Sequence, residues 1–330
     1  MHESQLQELR REKWRLDGRP VRTLEEAREF IESVGFCLLY AQRPPVLVPT
    51  FVGAHKGCDE KLPTPQMAFA DRSAHEAKEL MVRLLREKAA YEAKVFSDNN
   101  FIVSASVFPY FYGQVGDRNP KQPPKASGRA GYSPLAVDAF RILQRDGPIS
   151  KHRLRELLGG EISEAALDRA LDELWAKLRI TRVDYKPDEG VFWDVLFRWA
   201  PQAVYQGVHV SFAESLTALV SKYLDCVLAA QQEEVEHFFS PIMGRARVRE
   251  AINALQAARE LRYVHVGGRV LLQISALPLP HPSEVNQEPT SKPRLQPRRP
   301  EQGRTLVARG RSRTVRAVKS GTAGEDSGKR

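Results

Sequence analysis

Residues 244–274, GRARVREAINALQAARELRYVHVGGRVLLQI, decide the fold. Val248, Ala251, Ile252 and Leu255 stand at i, i+3, i+4 and i+7, one apolar stripe on a helix otherwise covered by charged and amide side chains. LRYVHV and RVLLQI follow, rich in β-branched residues and separated by Gly267-Gly268, a pair suited to the positive-φ positions of a tight hairpin turn. A helix followed at once by a hairpin predicts the second half of a winged helix.

Working outward, SFAESLTALVSKYLDCVLAA (211–230) and QQEEVEHFFSP (231–241) predict the two helices that complete the unit. The same order occurs earlier in the chain. SPLAVDAFRILQRDG (133–147), ISKHRLRELLGG (149–160) and SEAALDRALDELWAKL (163–178) predict three helices, and RITRVDYKPDEGVFWDVLFRW (179–199) alternates across a Pro-Asp-Glu-Gly turn as a wing does. At an offset of 81 residues Leu154 meets Val235, Leu157 meets Phe238, Leu167 meets Val248, Ala170 meets Ala251, Leu171 meets Ile252, Leu174 meets Leu255 and Val183 meets Val264. Core-type positions repeat while the surface does not, which predicts tandem winged helices at 133–200 and 208–275.

Upstream, residues 1–115 predict an N-terminal domain of helices and strands. Residues 1–20 suggest a short charged helix, and Thr23-Leu24-Glu25-Glu26 is a capping box opening a helix that Gly35 stops. FCLLYA (36–41) predicts a buried strand, Pro44, Pro45 and Pro49 an extended segment, and 55–72 a loop. Ser73-Ala74-His75-Glu76 predicts a helix running to about Phe96. A strand and an aromatic knot of Phe108, Tyr110, Phe111 and Tyr112 follow, whose spacing beside Pro109 favours packing over base stacking. Residues 116–132 read as an exposed linker, and 276–330, rich in Pro, Gly, Ser and Arg, as a disordered basic tail. The expected class is therefore α+β, mainly helical.

With 42% hydrophobic and 8% aromatic residues, the 330-residue composition suits a soluble globular protein. Its apolar runs stop well short of the ~18 residues of a membrane span, so no membrane partner and no secretory signal are expected. The expected location is the cytoplasm, on the nucleoid in a bacterium. Three scattered cysteines, Cys37, Cys58 and Cys226, argue against a disulfide framework. His55-x-x-Cys58 is only half of a metal site, no Gly-rich phosphate loop is present, and no Ser or Cys is placed with a His as a nucleophile–base pair, so no catalytic set, cofactor or metal is expected. The net charge is +9, but 276–330 holds twelve Lys or Arg against five Asp or Glu, which leaves +2 for the rest. Overall basicity therefore points mainly to the tail, and a specific nucleic-acid site has to be local.

One local candidate exists. Arg245, Arg249, Asn253 and Gln256 form a stripe beside the buried face of the last helix, and all can donate to bases or phosphates. Arg245, Arg247 and Arg249 crowd a helix N-terminus, where the macrodipole penalises each cation by roughly 0.3–1 kcal/mol unless an anion binds there. Arg262 and Arg269 add cations on the wing, with Arg269 beside Gly267-Gly268 placed to enter a minor groove. The corresponding stripe 81 residues earlier is Glu164, Asp168, Asp172 and Trp175, which repels phosphate and offers itself to a protein partner. The bland alternative is that the arginines pair with nearby glutamates such as Glu236 or Glu250.

Tandem winged helices behind a helix, a strand and the pair Gly35-Phe36 resemble the AlkZ-like winged-helix DNA glycosylases. The resemblance implies a DNA-repair role and a polar Gln-x-Asp or Gln-x-Gln motif that assists water attack on a glycosidic carbon. Here CLLYAQ follows Gly35-Phe36, placing Leu38 and Tyr40 at the two motif positions, with Gln42 nearby. The expectation is thus a protein binding double-stranded DNA through the second predicted winged helix. The alternatives are an active glycosylase acting on alkylated or crosslinked bases, and a protein-interaction scaffold or transcriptional regulator.

Overall fold

Thr23 starts the first buried helix as its sequence requires. Its hydroxyl accepts from the Glu26 N–H at 3.2 Å, and the Glu26 carboxylate accepts from the Thr23 N–H at 2.8 Å. The computed structural model describes residues 2–96, 99–126 and 131–275. It is an α+β chain, mainly helical with small sheets, in which α1 (Glu3–Lys13) precedes α2 (Leu24–Val34), β1 (Phe36–Leu38), α3 (Phe51–Lys56), α4 (Arg72–Arg86) and the hairpin β2 (Ala90–Phe96) and β3 (Asn99–Ser104). Helix α5 (Phe108–Val115) then leads through an irregular segment to α6 (Pro134–Asp146), β4 (Ile149–Ser150), α7 (Lys151–Leu157), α8 (Glu164–Trp175) and the hairpin β5 (Ile180–Lys186) and β6 (Gly190–Val195). After α9 (Leu196–Trp199) and α10 (Pro201–His209) come α11 (Phe212–Val227), α12 (Gln232–Phe239), α13 (Arg245–Ala257), β7 (Leu261–Val266) and β8 (Arg269–Ile274).

The last two runs have the expected winged-helix order, and so does the first. Strand orders are β1-β3-β2 and β4-β6-β5, and in the third run an antiparallel bridge from Ala230 to Leu272 puts the first segment beside β8 in the same way. The N-terminal region is thus a third copy of one helix–strand–helix–helix–hairpin unit, a repeat that the sequence reading did not find.

Two local expectations differ from the structure. The helix expected to reach Phe96 ends at Arg86, and Ala90–Phe96 is a strand paired with β3. Lys88 takes a left-handed φ of 58° at the break. Residues 55–72 are not all loop, because Thr50 accepts from the Gly53 N–H and caps α3, whose last residues are His55 and Lys56. The segment after Gly116 does run over the surface, but Arg179, 2% exposed, anchors it through Asp117 and the Asn119 carbonyl, both at 2.8 Å, and through the Gln122 carbonyl. The tail expectation for 276–330 lies outside the described residues.

The cores explain how the units are held. Ala136, Phe140, Leu154, Leu167, Leu171, Leu174 and Trp193 form a core private to the second unit. The first and third units share one: Phe36 of β1 stacks on Phe238 of α12 at 5.3 Å between ring centroids, and Phe238 stacks on Tyr223 of α11 at 4.4 Å. The residues matched at the 81-residue offset are buried in both copies except Leu157, which is half-buried. The aromatic knot packs inside, with Phe108, Phe111 and Tyr112 each at most 2% exposed. Helix α1 docks on the third unit, where Arg10 donates to the Val227 and Ala229 carbonyls and the Trp14 indole to that of Cys226.

Candidate nucleic-acid interface

Helix α13 follows Gly244, whose lack of a side chain leaves the first turn without a side-chain cap, although the Arg247 N–H bonds back to the Gly244 carbonyl at 3.1 Å. Arg245 and Arg247 are exposed on that turn, and Asn253 is exposed two turns on. The rest of the expected stripe is differently employed. Arg249 donates to Glu236 through Nε at 2.6 Å and through a terminal nitrogen at 2.9 Å. Arg249 and then Gln232 hold the Glu236 carboxyl below the usual carboxylate range. Glu236 is 4% exposed, and its Oε1 is shared by Arg249 at 2.6 Å and Gln232 at 3.0 Å. Gln256 is half-buried and its Nε2 has no hydrogen-bond partner among the described residues.

Arg247 stacks over the Phe212 ring at 4.7 Å, a contact that fixes the guanidinium without neutralising it. On the wing, Arg262 donates to Gln273 Oε1 at 3.0 and 3.2 Å, and Arg269 pairs with Glu3 of α1. Both partners of that last pair are about half exposed, where ion pairs contribute only about 0–1 kcal/mol and exchange readily for a phosphate. The structure therefore gathers Arg245, Arg247 and Asn253 on an open face, with Arg269 loosely held.

The acidic stripe of α8 meets cations of its own chain. Lys151 reaches Glu164 at 2.8 Å and Asp168 at 2.6 Å, Arg155 reaches Glu164 at 3.1 Å, and Asp172 pairs with Lys94 of β2. Trp175 is buried and its indole donates to the Glu92 carbonyl at 3.2 Å. The C-terminal half of the stripe is thus turned onto the first unit.

Beneath that contact is a cavity of about 150 Å³ lined by Tyr40, Lys78, Glu92, Asn100, Arg182, Asp184 and Tyr185 with apolar neighbours. Glu92 is 1% exposed, and burial raises its carboxyl pKa against the opposing pull of Arg182, whose guanidinium donates to it at 2.9 Å. Arg182 itself packs against the Trp175 and Trp193 rings, 4.2 and 5.1 Å from their centroids. Burial, with the Glu92 charge, pushes Tyr40 up to about 12, and burial lowers Lys78, which sits 3.8 Å over the Tyr185 ring. Of the two motif positions, Leu38 is 1% exposed in the β1 core and Tyr40 faces this cavity. Gln42 Oε1 is buried without a hydrogen-bond partner among the described residues.

The sequence reading missed Lys78, Glu92 and Arg182. A signal was present: Glu92 falls between Tyr91 and Ala93 in AYEAKVF, and a carboxylate set among apolar residues of a strand is seldom buried without a partner. Among the described residues, no group of His, Cys, Asp and Glu is arranged to hold a metal ion, and no helix is long and apolar enough to cross a membrane. His55 is buried and bonded to the Val21 carbonyl at 2.8 Å, with Glu76 at 3.2 Å, so it serves the core of the first unit.

Three repeats of one winged-helix order define the chain as a tandem winged-helix protein. Its sequence matches the profile of the AlkZ-like DNA glycosylases over residues 57–295, and the chain belongs to that family. The matched residues do not include Gly35–Gln42. Among solved structures it is similar to the Streptomyces sahachiroi DNA glycosylase AlkZ, with a TM-score of 0.53 and 12% identity, covering 83% of this chain and 70% of that one. This likeness is one of fold. No curated protein sequence matches the chain significantly.

Proposed function

We propose that this protein acts in DNA repair and binds duplex DNA through the third winged-helix unit, with α13 against the phosphate backbone and the β7–β8 wing beside it. The observation that carries the reading is the pair of exposed arginines, Arg245 and Arg247, on a first turn with no side-chain cap. Two cations there are unfavourable for the isolated helix and favourable once a phosphate binds. Membership of a DNA glycosylase family supplies the nucleic acid as DNA. The test is duplex affinity against salt: each phosphate contact contributes a slope of about −0.9, so Arg245→Ala with Arg247→Ala should flatten the dependence by roughly two units. An unchanged slope rejects the assignment.

A second reading, base excision, is favoured by one observation, the cavity that brings Tyr40, Lys78, Asn100 and Glu92 together. A buried carboxylate with a raised pKa, close to cations and a phenol, has the makings of a group that orients water, and would stand in for the amide that Leu38 lacks. Base release from a duplex carrying N7-alkylguanine decides it. Loss of release in Glu92→Gln supports the reading, and no release by the wild-type protein over a panel of alkylated bases ends it.

A further inference from the structure

Lys78 of α4 stands where two spaces meet. A surface groove of about 830 Å³ lies between α4 and the end of β5, and the inner cavity of about 150 Å³ adjoins it. Lys78, Tyr40, Val82 and Tyr185 line both, so a small molecule moving from the groove into the cavity meets the Lys78 amine on the way. The Tyr185 ring, with its centroid 3.8 Å from Nζ, fixes the amine at that junction.

The amine differs from other half-buried lysines of the chain in what it touches. Lys13 and Lys222 both end on Asp225, Lys94 on Asp172, and Lys151 on Glu164 and Asp168. Among the described residues Lys78 forms no ion pair, and its partner is the Tyr185 ring. Burial lowers its pKa from the ordinary lysine range, with the Glu92 charge opposing the fall and the Arg182 charge adding to it. A lysine shielded from water beside another cation keeps more of its amine unprotonated near neutral pH, and that is the form that attacks carbonyl carbon.

The walls select the class of ligand. Met81, Val82, Leu85 and Val191 give the inner cavity apolar sides, and a dry cavity of this volume holds a ring the size of benzene. Its other charges are already matched, Arg182 with Glu92 at 2.9 Å and Asp184 with Arg86 at 2.6 Å, which favours an uncharged occupant.

We propose that Lys78 is a nucleophile that captures an aldehyde in this cavity as a Schiff base. The neutral Nζ adds its lone pair to the carbonyl carbon, forming the C–N bond, and the proton it sheds is matched by one taken up on oxygen, giving a carbinolamine. The hydroxyl then leaves as water with a further proton, and the protonated imine remains. Two proton donors line the same cavity: the Tyr40 phenol, its pKa pushed up to about 12, and the Glu92 carboxyl, raised by burial. The aldehyde arrives either as a free small molecule or as the ring-opened sugar of an abasic site in DNA, and the chemistry at Nζ is the same. The inference shares its cavity with the base-excision reading but does not rest on it, since imine formation requires no attack by water on a glycosidic carbon.

The test treats the full chain near neutral pH with sodium cyanoborohydride, which reduces the imine, and in separate arms with benzaldehyde or with a duplex carrying one natural abasic site. Peptide mass spectrometry locates the adduct. In at least one arm Lys78 is expected to be modified about tenfold or more faster than any other lysine, because each unit of lowered pKa multiplies the unprotonated fraction by about ten. Lys78→Arg keeps a cation over Tyr185 and should abolish the fast phase while leaving slow modification of surface lysines. Lys78→Met should do the same, with thermal melts confirming that both variants fold. A fast adduct with benzaldehyde alone identifies a free aldehyde as the ligand, and one with the abasic duplex identifies DNA as its carrier. Modification of Lys78 no faster than that of surface lysines in both arms, or a fast phase that persists in Lys78→Arg, overturns the proposal. Such a failure leaves the excision reading standing, because base release is measured without reductant.

Discussion

Arg249 of α13 and Glu236 of α12 form a two-point ion pair, Nε to one carboxylate oxygen and a terminal nitrogen to the other, that ties the last two helices of the third unit together. Arg249 is therefore part of the scaffold more than of the open face. Arg245→Ala should lower the salt slope of duplex binding by about one unit, and Arg249→Ala should leave it nearly unchanged.

The same pair makes a pH prediction. Glu236 has a folded pKa below its unfolded value, so its contribution to stability is present above the ordinary carboxylate range and is lost as pH falls through the folded value. Arg249→Ala should lower the urea midpoint near neutral pH, and its difference from wild type should shrink as the solution is taken through the acid range. Paired urea titrations at several pH values measure this.

Arg182 and Glu92 behave in the opposite sense. The Glu92 pKa is raised in the folded protein, so its contribution is fully present below the unfolded value and is lost as pH rises through the folded one. Removing the cation that offsets this, in Arg182→Met, should cost about 3–5 kcal/mol near neutral pH by leaving a buried carboxylate unpaired. The cost should fall in acid, and Glu92→Gln added to Arg182→Met should recover much of it. Denaturant melts of the single and double variants at two pH values are the check.

What the sequence made legible follows from how local each signal was. The Thr23 box, Ser163 at the start of α8 and the stripe Val248 to Leu255 are each written within a few residues, and all three stand in the structure as read. The third copy of the repeat was hidden because Arg86-Glu87-Lys88-Ala89-Ala90 contains no glycine or proline and favours helix, while the strand that begins at Ala90 is selected by pairing with β3. The pair Arg249–Glu236 was weighed only as one of several possibilities, since residues 13 apart meet through the α12–α13 turn, whose angle the sequence does not state. The Tyr40–Glu92 cavity was not legible at all: its walls come from β2, α4 and β5, brought together only when the second unit docks on the first.

Phe238 joins the first and third units, stacking on Phe36 and Tyr223 and meeting Phe239 edge-on. Phe238→Ala should cost about 3–5 kcal/mol, since the cavity lies among rings from two helices and two strands that cannot all close in. Because the second unit has a private core, it should be affected less. Hydrogen exchange separates the two outcomes: faster exchange in β1 and α12, with β6 and α8 near wild-type protection, is expected.

Arg269 and Glu3 carry the last prediction. The wing cation closest to the Gly267-Gly268 turn is paired with a carboxylate of α1, so DNA has to compete with Glu3 for it. The pair is half exposed and contributes little to the fold. Glu3→Gln should therefore leave the thermal midpoint nearly unchanged and tighten duplex binding about two- to fivefold at low salt, the range that loss of one surface ion pair allows. The gain should fade at high salt, where both the pair and the phosphate contact are screened. Arg269→Ala should weaken binding and abolish the effect of Glu3→Gln, so a double-mutant cycle read by fluorescence anisotropy tests the competition directly. If Glu3→Gln tightens binding equally with and without Arg269, the carboxylate acts only through general repulsion, and the wing arginine is not a DNA contact.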